Sequence, residues 1–168
     1  MRKTITITYP APPARAAAML ADPSYQDLRV ERLGLDDASA TVTPDGQGSD
    51  HGFVTTITGS VPPSRLPAAA ARLVRSGVSF TVSETWGAAA ADGSRTGSYD
   101  IDVKGAPVKV AATATMAPAG DATTVTVDVD LEVTVPLVGK SIEERAASRV
   151  GRVVEDEEKR AATWLAQH

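Results

Sequence analysis

The 168-residue chain has no cysteine. That excludes disulfides and thiolate metal ligation, and it is compatible with a reducing compartment. Histidine occurs twice, at His51 and His168, too far apart in sequence to suggest a converging metal site or a catalytic triad. No G-x-S-x-G elbow accompanies them. The glycine-rich run "DGQGSDHG" matches neither a phosphate-binding loop nor a dinucleotide fingerprint. No apolar run approaches the ~18 residues of a membrane helix. The opening "MRKTITITYP" is too short and polar for a secretory h-region. The net charge is −4 with both signs interspersed, and no basic stripe stands out, which disfavours a nucleic-acid surface. These absences lead to the expectation of a cytoplasmic domain spanning 1–168, with no cofactor, no metal and no membrane span.

What is present is alternation. Ile5, Ile7 and Tyr9 share one face of Arg2–Tyr9. Val78, Phe80, Val82 and Trp86 do so in Val78–Trp86, and Tyr99, Ile101 and Val103 in Ser98–Lys104. Val108–Met116 follows the same rule more weakly, and Thr124–Val135 is the clearest case. Weaker strands fall near Ser39–Thr43 and Gly52–Val61. The links "ADGS", "KGAP" and "PAGD" are short and turn-rich, so successive strands pair antiparallel.

Helical patterns are few. "PPARAAAMLAD" opens with prolines suited to a first turn and ends before Pro23. "SYQDLRVERLG" closes at Gly34. Pro67–Gly77 reads as a short helix or an irregular excursion. A long helix runs from about Gly139 to Leu165. Ser141 and Glu144 match a capping box, with a start one turn earlier as the alternative. Pro136 is expected to stop the last strand and Gly139 to let the chain turn. The order is β-α-α-β6-α, an α+β fold. Its curved antiparallel sheet of about seven strands needs a cover for one apolar face, and the last helix supplies it.

Two acids break this pattern. At 100° per residue, Ile142, Ala146, Val150, Val153, Ala161 and Trp164 cluster on one helix face, and Glu157 falls among them. Glu84 takes an inward strand slot between Val82 and Trp86. The ordinary reading of Glu157 is a solvated helix end or a pair with a nearby arginine, because charged residues are almost never fully buried unless paired. The functional reading points it into a cavity. For Glu84, the alternatives are the sheet rim, a bulge that turns it outward, or a second acid at a pocket mouth. Alanines at 112, 114, 146 and 161 either let the layers pack closely or leave room for a ligand. The candidate pocket residues are Glu157, Glu84, Trp86, Tyr99, Phe80, Met116, Val153 and Val150. For each aromatic among them, a plain core anchor is the commoner role.

The strings "DPSYQ", "SETWG" and "VPLVGKSIEE", set in this element order, resemble the family catalogued as domain of unknown function 2505. That family lies within the START and birch-pollen-allergen (SRPBCC) superfamily of helix-grip folds. The resemblance implies a cavity between sheet and helix for an apolar or amphipathic small molecule, such as a lipid, a sterol or a polyketide. The leading expectation is therefore noncatalytic binding of a hydrophobic molecule. A cyclase- or dehydratase-like enzyme using Glu84 or Glu157 is the second. A protein-interaction module with a filled core, able to form a homodimer, is the third.

Overall fold

The computed structural model describes residues 1–48, 50–66, 68–72 and 74–168, without the side chain of Ala69. Strand β1 (Arg2–Tyr9) leads into α1 (Pro13–Leu20) and α2 (Pro23–Leu33). β2 (Ser39–Asp45) and β3 (Gly52–Val61) follow, then the short helix α3 (Ala68–Ala71). β4 (Val78–Trp86), β5 (Arg95–Lys104), β6 (Val108–Ala119) and β7 (Ala122–Val133) complete the sheet, and α4 (Gly139–Gln167) ends the chain. The strand order is β1-β7-β6-β5-β4-β3-β2, and neighbouring strands pair antiparallel. This is the α+β helix grip: a curved seven-stranded sheet with α4 along its concave face.

β1, β3 and β4 keep the bounds read from the sequence. β2, β5 and β6 are longer, and β7 is shifted two residues towards the N-terminus. Pro44 lies inside β2, an edge strand, where a missing N–H is tolerated. The excursion at 67–77 holds α3, while Pro67 and Leu73 lie outside the described residues. Asp22 caps α2, its carboxylate accepting from the Ser24 N–H at 2.8 Å and the Ser24 hydroxyl at 2.6 Å. Pro23 is thus the first residue of α2, and Gly34 closes that helix with φ 58°.

The turn into α4 differs from expectation in three ways. β7 ends at Val133, three residues before Pro136, so the proline lies beyond the ladder. Val138 is the N-cap and makes no side-chain cap bond, so Ser141 and Glu144 do not form the capping box. Glu143 instead accepts from the Val133 N–H at 3.0 Å and lies 3.6 Å from the Met1 ammonium, tying the helix start to the sheet. Finally, the positive φ belongs to Leu137, at 69°, not to Gly139. Gly139 is needed for another reason: a Cβ there would collide with the Val133 carbonyl oxygen. Gly139→Ala is expected to cost about 1–3 kcal/mol, as overpacking against backbone does, read as a lower midpoint in urea unfolding.

The core gathers at one end of the grip. Tyr9, Tyr25, Trp86, Met116 and Trp164 pack there with α1. Ala114 and Ala161, 3% and 0% exposed, serve close packing in this cluster. Among the described residues, no helix is long and apolar enough to cross a membrane.

Candidate functional site: an arginine held between two buried acids

The two acids face the same cation. Glu84 and Trp86 occupy consecutive inward slots of β4, and the β3–β4 and β4–β5 registers run without a bulge from Val82 to Trp86, so Glu84 stays inward. Glu157 reaches in from α4. Both are buried, at 5% exposure. Between them sits Arg29, one helical turn after Tyr25 on α2. Its Nε and Nη2 donate to Glu157 Oε1 at 3.0 and 2.9 Å, and its Nη1 donates to Glu84 Oε2 at 2.9 Å.

Neutral donors complete the network. The Tyr25 and Tyr9 hydroxyls donate to Glu157 Oε1 at 2.9 and 3.2 Å. Trp86 Nε1 and the Tyr99 hydroxyl donate to Glu84 Oε1 at 2.6 and 3.2 Å. The Arg29 guanidinium also lies 5.7 Å from the Tyr25 ring centroid, a cation–π contact. The Tyr25 ring meets Trp164 edge-on at 6.0 Å, and Trp164 Nε1 donates to the Ser24 hydroxyl at 3.1 Å. α2, β1, β4, β5 and α4 are thereby locked together at one place.

The electrostatics follow from this geometry. Burial raises the Glu157 carboxyl, but the Arg29 charge and the hydrogen bonds from Arg29, Tyr25 and Tyr9 outweigh it, and its pKa lies below the usual carboxylate range. Burial lowers Arg29, and the fields of Glu157 and Glu84 outweigh that, so it holds its proton more firmly than a free arginine. Burial, reinforced by the nearby carboxylates, pushes Tyr9, Tyr25 and Tyr99 upward, so the phenols stay neutral donors.

Beside this network lies a 420 Å³ cavity between sheet and α4. Ile5, Ile7, Val82, Ile101, Val127 and Val129 form its sheet wall, and Val150, Val153 and Val154 its helix wall. Arg29, Glu84, Tyr99 and Glu157 form its polar end, and Arg32 and Leu33 reach it from α2. Of the candidates read from the sequence, Glu157, Glu84, Tyr99, Phe80, Val153 and Val150 line this space. Trp86 and Met116 do not: both are 1% exposed and belong to the packed core, where Trp86 orients Glu84. Ala112 and Ala146 line the cavity and leave it room. For Glu157 the pairing with an arginine is what the structure shows, while a solvated Glu157 and a bulge at Glu84 are set aside by this geometry.

The sequence reading missed Arg29. One signal was available: two acids on apolar faces demand a buried cation, and Arg29 follows Tyr25 by four residues on the same helix face. Among the described residues, no group of three or more His, Cys, Asp or Glu side chains is arranged to hold a metal ion.

The family described as "Protein of unknown function (DUF2505)" matches residues 4–165. The chain belongs to that family. No curated protein matches it in sequence. The DUF2505 domain is similar to a START superfamily protein from Mycobacterium smegmatis, with 14% identity, a TM-score of 0.52, and coverage of 97% of this chain and 98% of that one. It is equally similar to a conserved protein from Geobacillus kaustophilus, with 14% identity, a TM-score of 0.53, and coverage of 99% and 96%. A protein from Thermus thermophilus gives 14%, 0.52, 99% and 98%. At such identities the likeness establishes the START-like helix-grip fold of the DUF2505 domain and nothing finer.

Proposed function

We propose that the protein binds a hydrophobic or amphipathic small molecule, without chemistry, in the cavity between the sheet and α4. The observation that carries this reading is the 420 Å³ space itself, walled by aliphatic side chains and ended by a charged, hydrogen-bonded network. Its size and mixed lining suit a small-molecule site, for which ~300–1,000 Å³ is usual. A guanidinium has five N–H donors. Among the described residues, three bonds from Arg29 go to the two acids, which leaves two N–H groups for an oxygen of the ligand. The ligand is thus expected to carry a hydroxyl or carbonyl at the end that meets Arg29.

Two observations weigh against the other readings. A general acid needs a raised pKa, and Glu157 is held low by Arg29. A pure interaction module predicts a filled core, and this one has space beside its polar network.

Val150→Trp tests the reading by filling the cavity from α4. Titration with an uncharged solvatochromic dye such as Nile red is expected to show saturable, blue-shifted binding to the wild type and at least about tenfold weaker binding to the variant. Thermal stability should be held or raised, because the added volume enters empty space and does not overpack a core. Equal dye binding by both proteins would refute the cavity as the site.

A further inference from the structure

The opposite end of the grip from the core cluster shows a charge distribution invisible along the sequence. Three segments meet there around a second, wholly apolar cavity of 450 Å³: 62–77 through Leu66, Ala70 and Val74, 104–108 through Ala106 and Pro107, and 133–142 through Pro136 and its neighbours. The Thr134 N–H donates to the Pro107 carbonyl at 2.9 Å, which joins two of them directly. These segments carry Arg65, Arg72, Arg75, Lys104 and Lys140, and not one Asp or Glu, in a chain of net charge −4. All five side chains are exposed. Of the carboxylates at this end, Asp102 pairs with Lys104 at 3.6 Å, Glu143 lies 3.6 Å from the Met1 ammonium, and Asp37, bonded to Ser60, keeps its charge; among the described residues no carboxylate pairs with Arg65, which donates to the Gly34 carbonyl, or with Arg72, Arg75 or Lys140.

Leu137 projects from the same end. It is fully exposed, at 105%, and holds a φ of 69°, a conformation that a leucine adopts only at a cost. A residue serving only the turn would be Gly or Asn. An exposed apolar side chain on a strained turn, beside an apolar cavity whose bordering segments carry five exposed cations, has the chemistry of a surface that meets anionic headgroups above hydrocarbon.

We propose that this end of the molecule docks on an anionic lipid bilayer, with Leu137 entering the apolar layer and Arg65, Arg72, Arg75, Lys104 and Lys140 facing the headgroups. This does not depend on what the 420 Å³ cavity holds.

Co-sedimentation with lipid vesicles tests it. Vesicles of phosphatidylcholine with phosphatidylglycerol should pellet the protein, with binding that weakens as salt is raised, and vesicles of phosphatidylcholine alone should not. Each cation near such a surface contributes roughly fivefold, so Arg72→Gln/Arg75→Gln is expected to bind about 25-fold more weakly. Leu137→Asn relieves the turn, so it should fold at least as stably, yet lose about tenfold in vesicle binding. Lys159→Gln, on the far part of α4, should bind as the wild type does. Failure to pellet with anionic vesicles, equal binding to both vesicle types, or equal loss in Lys159→Gln would overturn the proposal. Retention of a soluble acidic protein with no vesicle binding would do so as well.

Discussion

Arg29→Leu is expected to destabilise the protein by about 3–5 kcal/mol, the usual cost of breaking a buried ion pair by removing one partner. The variant leaves Glu84 and Glu157, both 5% exposed, facing an apolar side chain in place of the guanidinium that held them 2.9 Å from its nitrogens. One carboxyl must then take up a proton or the site must open to water. For a chain of this length each kcal/mol shifts Tm by roughly 2–4 °C, so a fall of about 6–20 °C is expected at neutral pH. Arg29→Lys should lie between, because an ammonium lacks the planar fork that serves both acids. The triple change Arg29→Leu/Glu84→Gln/Glu157→Gln should recover most of the loss. It removes all three charges together, and the amide oxygens still accept from Trp86, Tyr99, Tyr25 and Tyr9. Thermal unfolding of the four proteins checks the series. Wild-type stability in Arg29→Leu would mean that the network does not form as described.

The second large effect concerns acid. The Glu157 pKa is depressed in the folded protein despite burial, because Arg29 and the Tyr25 and Tyr9 hydroxyls favour the carboxylate. The unfolded value lies near ~4.3. The stabilisation by ionised Glu157 is therefore fully present above that value and is lost as pH falls through the lower, folded pKa. Glu157→Gln is expected to cost about 3 kcal/mol at neutral pH, since it leaves Arg29 with Glu84 as its one close charged partner. The gap between variant and wild type should then close on acidification. Hydrogen bonds from Ser60 and Ser94 hold Asp37 and Asp92 low as well, but both remain in the variant and cancel in the difference. Urea unfolding of the two proteins from pH 7 down to the acid limb reads this directly. Parallel curves across the whole range would show that Glu157 is not the titrating group.

Much of the fold was legible because period-two alternation reports a sheet with one buried face, and most of this sheet obeys it, β1, β5 and β7 most clearly and β3 least. β4 could be read to its last residue. Glu84 and Trp86 share its inward face, and the register keeps them there. What alternation cannot report is the partner on another element. Arg29 belongs to a short helix crowded with charges, "SYQDLRVERL", where nothing local separates the acid-paired Arg29 from the solvated Arg32 three residues on. The turn into α4 was misread for a similar reason. Gly139 is required by the approach of the Val133 carbonyl, a contact across the chain reversal, and not by its own φ. Pro136 fell naturally into the role of strand breaker, yet the ladder had already ended, and Glu143 rather than Ser141 or Glu144 anchors the helix start. The basic end of the grip was hidden because its five cations are spread over three segments from 65 to 140 and only the sheet connections bring them to one place.

The same layout separates stability from binding. The Arg29 network locks α2 and α4 to the sheet at one end of the cavity. The aliphatic walls beyond it are mostly half-buried, with Val127 buried and Val153 exposed, and they do not close on each other, so the sheet face is covered without being filled. A cavity of this kind persists because the polar network, rather than complete packing, sets the distance between α4 and the sheet. Filling mutations along Val150 and Val153 should therefore be tolerated, whereas changes at Arg29, Glu84 and Glu157 should not.

The most direct test of small-molecule binding is native mass spectrometry of the protein purified from its own host, followed by organic extraction of what it carries. The account predicts a stoichiometric adduct that extracts into organic solvent, carries a hydroxyl or carbonyl oxygen, and is lost in Val150→Trp. A mass equal to that of the bare chain, together with no saturable uptake of any apolar molecule from a lipid extract of that host, would contradict it.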